Sequence, residues 1–259
     1  MCELIAAVAD EPFRLGDLWD VVAALERYGV AGFGWGVAWP GPDGRLMRHV
    51  STAAFRDDPA TDALATLPVR ACMVHLRRPS KLSTLSIPDA QPFLDPAGRF
   101  AFCHNGDLAR WRPARATYAA AGRIAGRADS EVGQRWLEDA WAEHALELAW
   151  PRSDGAPGSV ADARGATAVV PDPCVTLGGL HDALGGQANL CVLTPDGAVH
   201  CTAGNTENPI VAYRLGGLRV VSTAIYSIDR SVFRLVAPGA RERRVHKPGS
   251  RIHLLPVGA

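Results

Sequence analysis

An α+β layered sandwich is the fold this sequence predicts, and three observations carry the expectation. Short apolar runs of strand length recur along the chain, the last third is made almost wholly of them, and only two stretches show clear helical spacing. The resulting order is strand, helix, several strands, helix, then more strands. A doubly wound parallel sheet would instead alternate strand and helix throughout. With 259 residues the chain is long enough for one large domain, and residues 1–259 are read as a single unit.

Residues 2–8, Cys-Glu-Leu-Ile-Ala-Ala-Val, form the first expected strand. Residues 15–28 place apolar side chains at helical spacing and stop before Gly29, a natural C-terminal cap. Gly34-Trp35-Gly36 leads into an alternating segment ending at Trp39. Residues 40–44 make a turn, and 45–51 return antiparallel. Strands are expected at 70–76 and 99–104, with a polar, proline-containing loop between them. A helix follows Asp129-Ser130-Glu131, with Val132, Trp136, Leu137 and Ala140 on one face and Asp129 or Ser130 as its cap. Residues 150–173, rich in Gly, Pro, Ala, Ser and Asp, have no periodicity and read as a surface excursion within the domain. Strands are then expected at 188–194, 197–202, 210–214, 218–223, 232–236 and 251–255.

Lys and Arg together number 27, as do Asp and Glu, so no bulk electrostatic pull toward nucleic acid or an anionic membrane is implied. No apolar run reaches the roughly 18–20 residues of a membrane span, and the first residues lack the basic flank of a secretory signal. A cytoplasmic protein is expected. Its six cysteines show no CxxC or Cys/His ligand spacing, and five read as small buried thiols. No metal or organic cofactor is indicated.

Cys2 is the exception. Once Met1 is removed, its thiol and a free α-amino group sit on one residue. The amine, with an ordinary pKa of about 7.7–8.0, can act as general base for the thiol. His104-Asn105-Gly106-Asp107 follows the strand at 99–104. Asn-Gly is a common hairpin turn, but the Asn105 amide and the Gly106 N–H are also suited to an oxyanion hole. At the end of strand 70–76, Arg77 and Arg78 are either solvated or placed to bind a carboxylate in bidentate fashion. Asp129 is either a helix cap or the receptor for a substrate ammonium. Arg77 and Asp129 together would hold the zwitterionic head of an amino acid while its side-chain amide reaches Cys2.

Met1-Cys2-Glu3-Leu4, Gly34-Trp35-Gly36, His75-Leu76-Arg77-Arg78, Pro92-Phe93, His104-Asn105-Gly106 and Asp129-Ser130-Glu131 occur in one order across residues 1–140. In that order and at those separations the chain resembles the class II glutamine amidotransferases, in particular their stand-alone single-domain branch. A weaker match runs through Val220-Val221-Ser222-Thr223 and residues 236–239. The resemblance implies a four-layer αββα sandwich of the N-terminal-nucleophile type with Cys2 at the head of a central strand. It implies attack of Cys2 on the glutamine amide, a γ-glutamyl thioester, release of ammonia, and hydrolysis to glutamate. Asn105 and Gly106 would form the oxyanion hole. Arg77 would bind the substrate carboxylate and Asp129 its ammonium, with His104 on the substrate side and Trp35 and Gly36 shaping the pocket wall.

Two departures bear on the substrate. Asp89-Ala90-Gln91-Pro92-Phe93 stands where the family usually has Asn-x-His-Pro-Phe, and Phe33 stands where the branch usually has Asp. Three readings follow. The first is a glutaminase that passes ammonia to a synthetase partner. The second is a hydrolase of γ-glutamyl amides of a larger metabolite, like the family member of ergothioneine synthesis. The third is a catalytically silent subunit, which a retained Met1 would favour.

Overall fold

The computed structural model describes residues 2–29, 31–149, 172–223 and 234–256. Strand β1 (Glu3–Arg14) leads through a 3-10 turn into helix α1 (Trp19–Tyr28). The hairpin β2 (Trp35–Pro40) and β3 (Leu46–Ser51) follows, then α2 (Ala60–Ala65) and β4 (Pro68–Leu76). Next come β5 (Phe93–Leu94), β6 (Ala101–Gly106), α3 (Trp111–Ala120), α4 (Asp129–Ala149) and α5 (Pro173–Leu184). The remainder is β7 (Ala188–Leu193), β8 (Val199–Thr202), β9 (Ile210–Leu215), β10 (Leu218–Thr223), β11 (Arg241–Val245) and β12 (Arg251–Leu254).

These strands make a seven-stranded sheet, ordered β11-β9-β10-β1-β4-β2-β3, and a five-stranded sheet, ordered β12-β8-β7-β6-β5. The ladders are antiparallel, with β1 in the middle of the larger sheet between β10 and β4. Side-chain alternation along β1 explains the layering. Leu4, Ala6 and Val8 point toward the smaller sheet and pack with Ala101, Cys103, Cys191 and Cys201. Ile5, Ala7 and Ala9 point the other way, onto Val22 and Leu25 of α1 and Leu64 of α2. On the far side, Phe102, Leu190 and Val192 meet Val132 and Leu137 of α4 and Leu177 and Leu180 of α5. Helix, sheet, sheet, helix is therefore the order of the layers, as expected for the αββα sandwich. A strand buried on both faces must be apolar throughout, which is why Leu4 to Val8 shows no polar alternation. Each fully buried leucine or isoleucine there contributes about 1.5–3 kcal/mol.

Several expectations need correction. Residues 234–236 form a helical turn where a strand over 232–236 was expected, and 232–233 lie outside the described residues. Helices α2, α3 and α5 and strands β5 and β11 were not anticipated. Most of the expected excursion at 150–173 lies outside the described residues, but Asp172 and Pro173 open α5, with the Asp172 side chain capping it through the Cys174 N–H. No helix among the described residues is long and apolar enough to cross a membrane.

Candidate active site

Cys2 precedes the central strand, next to the end of β4. Its half-buried sulfur accepts the Arg78 N–H at 3.3 Å and donates to the Arg78 carbonyl at 3.6 Å. Burial pushes the thiol up, while the Arg78 N–H and the Arg77 charge act in the opposite direction without overcoming it. The sulfur is therefore protonated at neutral pH, and a nucleophilic role requires a base at hand.

The Cys2 carbonyl is fixed by two asparagines. The Asn105 amide donates to it, and Asn208 Nδ2 approaches it at 3.5 Å. The orientation of Asn105 follows from the backbone. Asn189 Oδ1 accepts the N–H groups of Gly204 and Asn205 at 3.1 and 3.2 Å. Its Nδ2 must then be the end that donates to Asn208 O at 2.7 Å and to Asn105 Oδ1 at 3.0 Å. Asn205 Nδ2 adds a second donor to Asn105 Oδ1 at 3.3 Å. With its oxygen so occupied, Asn105 turns its NH2 toward Cys2. An amide NH2 has two hydrogens, so one can hold the Cys2 carbonyl and the other can face a reacting group.

Gly106 ends β6 beside this amide. Asp107 N donates to Gln187 O at 3.1 Å, so by the alternation of an antiparallel ladder the Gly106 N–H points away from β7. Its φ of +123° and the nearby Gln187 carbonyl, which any Cβ would strike, make glycine the residue this corner accepts.

Arg77 is buried, and its guanidinium donates to the carbonyls of Thr84 and Ser86, leaving three of its five N–H donors. Burial pulls its pKa down, countered by Cys2 and Asp89. Asp129, at the start of α4, accepts Leu108 N at 2.9 Å and Ser130 N at 3.0 Å and lies 3.6 Å from His104 Nε2. Burial raises its carboxyl, but His104 and these N–H groups outweigh that and hold it below the usual carboxylate range. An ionised carboxylate with lone pairs to spare suits an ammonium ligand. His75 is buried beneath this region, and burial, His104 and Arg77 push its imidazole down to about 3, so it is neutral.

The residues at the first departure, Asp89 and Gln91, have structural roles. Asp89 Oδ1 accepts the N–H groups of Arg127 and Ala128 at 2.5 and 2.7 Å, and its Oδ2 accepts the Ser86 hydroxyl at 2.8 Å. It thus ties the segment carrying Arg77's acceptors to the loop that delivers Asp129. Gln91 Oε1 accepts His104 N at 2.7 Å.

Trp35 departs from its expected place. Its indole is buried against Trp19, His49 and Phe55 in the core beneath α1 and donates to Asp58 Oδ2 at 2.9 Å. Alternation along β2 sends its side chain to the helix side of the sheet, whereas Ala38 faces the inter-sheet core. Gly36 lets the Gln91 carbonyl approach closely; a Cβ there would collide with it. Reading the sequence missed Asn189, Asn205, Asn208, Glu3 and Thr223. The buried Glu3 carboxylate accepts from Thr223 Oγ1 and, at 3.1 Å, from Asn208 Nδ2. Burial lifts it to about 7 against the pull of those two hydrogen bonds. Its one sequence signal is an acid heading a strand that is otherwise apolar to Ala9.

Comparison with known proteins places the chain in a family. The profile of the class-II glutamine amidotransferases matches residues 1–152, and the chain belongs to that family. Among solved structures, glutamine phosphoribosylpyrophosphate amidotransferase from B. subtilis, complexed with ADP and GMP, superposes with a TM-score of 0.66 at 16% identity. That match covers 97% of this chain and 47% of the other. A structure described as the allosteric regulatory enzyme of purine biosynthesis gives 0.66 at 15% identity, covering 97% and 46%. A glutamine aminotransferase class-II domain protein from Silicibacter pomeroyi gives 0.56 at 18% identity, covering 97% and 94%. The chain thus spans about half the length of the first two and nearly all of the third, and these likenesses concern the fold. No curated protein matches the chain in sequence.

Proposed function

We propose that the protein is a glutaminase, a single domain over residues 1–259 in which Cys2 is the N-terminal nucleophile. After loss of Met1, the Cys2 α-amine takes the thiol proton and the sulfur attacks the side-chain amide carbon of glutamine. The second N–H of Asn105 and the Gly106 N–H stabilise the oxyanion; one such donor is typically worth about 2.7–4 kcal/mol. The ammonium returns the proton to the amide nitrogen, ammonia leaves, and a γ-glutamyl thioester remains. Water then attacks the thioester carbon, giving glutamate and the free thiol. Arg77 holds the substrate carboxylate and Asp129 its ammonium, with His104 orienting Asp129.

The observation that carries this reading is the Asn189–Asn105–Cys2 chain of hydrogen bonds, which aims a donor at the residue bearing the thiol. Because burial keeps the thiol protonated, this mechanism needs a base, and the Cys2 amine supplies one once Met1 is removed. Ammonia would pass to a synthetase on a partner protein in the cytoplasm, where free thiols persist. A γ-glutamyl conjugate is the second reading. Phe33, 39% exposed, donates its N–H to the Arg77 carbonyl at 3.2 Å and offers an apolar surface beside the site. Steady-state kinetics on glutamine and on γ-glutamyl amides with apolar leaving groups test both. A higher kcat/KM for glutamine supports the first reading, and a higher value for the conjugates the second. Turnover of neither would leave a silent subunit.

A further inference from the structure

We propose that Asp172, Cys174, His200 and His253 form a binding site for one zinc-like divalent cation, away from the Cys2 site. Each offers one donor atom, and the four donors lie within 4.8 Å of one another. His200 and His253 are direct cross-strand partners on β8 and β12. Their neighbours Val199, Cys201, Ile252 and Leu254 fill the inter-sheet core, so both imidazoles project from the opposite face, toward α5. Their Nδ1 atoms approach to 3.0 Å with the rings nearly perpendicular, at 84°. Cys174, in the first turn of α5, hangs its buried sulfur over the same two strands, 3.5 Å from the Cys201 carbonyl and 3.8 Å from that of Ile252. The sulfur is 3.9 Å from His253 Nδ1. Asp172 caps α5 through the Cys174 N–H, which leaves its carboxylate beside the sulfur.

Two imidazole nitrogens at that separation share either a proton or a cation. A shared proton accounts for the pair of histidines and helix capping for Asp172, but neither gives a reason for a thiol to converge on the two imidazoles beside that carboxylate. A tetrahedral zinc ion does. With Zn–N near 2.05 Å and Zn–S near 2.3 Å, it sets N···N at about 3.3 Å and S···N at about 3.6 Å. The observed 3.0 and 3.9 Å need only small side-chain rotations to match. Charge also balances. The Cys174 thiol gives its proton to solvent as the metal–sulfur bond forms, and thiolate plus carboxylate neutralise the divalent ion. Sulfur and imidazole ligands favour zinc over calcium or magnesium. Four protein ligands leave no open position, so the site is of the structural kind. It would clamp the start of α5 to β12, the edge strand of the smaller sheet. The ligands come from three separate elements, so no local sequence spacing announces them.

Cobalt(II) titration of chelator-stripped, full-length Cys2→Ala protein tests this without interference from the reactive thiol. A thiolate-to-cobalt charge-transfer band saturating at one equivalent per chain and displaced by zinc is expected. Cys174→Ser should lose the band, and His253→Ala, at an exposed position, should weaken binding by at least about 10-fold. Zinc should raise the thermal midpoint of the parent, and raise it less in both variants. No band at stoichiometric cobalt, or a band unchanged in both variants, would overturn the proposal. If Cys174→Ser fails to fold, His253→Ala decides alone, and unaltered cobalt affinity there is equally fatal.

Discussion

Replacing Glu3 with glutamine should change how folding stability depends on pH, and the size follows from the site. The Glu3 carboxyl is wholly buried, with an ordinary value of 4.5 lifted to about 7. A group whose folded pKa lies above its unfolded one stabilises the fold fully below the unfolded value, and that contribution is lost as pH rises through the folded value. At about 1.4 kcal/mol per pH unit of difference, roughly 3 kcal/mol should disappear between pH 4.5 and 7. Glutamine is neutral throughout, and its carbonyl can still accept from Thr223 and Asn208. The stability difference between Glu3→Gln and the parent should therefore shift by about 3 kcal/mol in the variant's favour between pH 5 and pH 8. Buried histidines such as His75, pushed down to about 3, act the other way below their ordinary 6.5. They are common to both proteins and cancel in the difference. Asp58, Asp95 and Asp129 have depressed values, so their contribution is present above the ordinary 3.8 and lost only in stronger acid. Urea unfolding at pH 5, 6, 7 and 8 reads the effect, and parallel pH profiles for the two proteins would refute the reasoning.

Three further outcomes follow from the geometry. Asn189→Ala removes the shorter of the two donors that orient Asn105 and leaves Asn208 O, Gly204 N and Asn205 N without those bonds, at a cost of about 1–3 kcal/mol or more in urea unfolding. Its kcat should fall more than its KM changes, and intact kcat would detach Asn105 from the oxyanion. Asp129→Asn keeps an acceptor for Leu108 N but loses the charge. Losing a hydrogen bond to a charged group at about 1.5–3 kcal/mol gives a drop in kcat/KM of roughly 10- to 150-fold. That drop should lie mainly in KM, and an unchanged KM would remove the ammonium contact. Gly106→Ala forces a side chain into a φ of +123° against the Gln187 carbonyl. It should cost at least about 1–3 kcal/mol of stability as well as activity; a fully stable, active variant would show that the corner tolerates a Cβ.

Much of the molecule was legible because its signals are local. The unbroken apolar run after Cys2 announces a strand buried on both faces, and the turn at 40–44 announces the β2–β3 hairpin. The spacing of Val21, Val22 and Leu25 announces α1. Helix α5 was not legible, although Leu177, Leu180 and Leu184 are spaced for one face. Pro173 and the Gly178-Gly179 pair argue against a helix locally, and packing against Trp136 and the smaller sheet overrides them. Helix α3, with Pro113 inside it, was hidden in the same way. At the candidate site, Cys2, Arg77, Asn105 and Gly106 lie beside strand ends and Asp129 at a helix start, and it was their conjunction in one order, not the type of any one residue, that marked them. Asn189, Asn205 and Asn208 did not, because isolated asparagines near turns look like ordinary loop chemistry until the fold stacks them against Asn105. Trp35 was misplaced because an aromatic between two glycines resembles a pocket wall, and only the pleat of β2 decides which face it takes.

The central claim is that Cys2 is a nucleophile in a glutamine-shaped pocket. Intact mass of cell-expressed protein, before and after a glutamine-like reagent that alkylates nucleophilic thiols, tests it most directly. Loss of Met1 and a single adduct mapped to Cys2, with Cys72, Cys103, Cys174, Cys191 and Cys201 unmodified, is the expected result. A retained Met1, or a free Cys2 that the reagent leaves untouched, would contradict it.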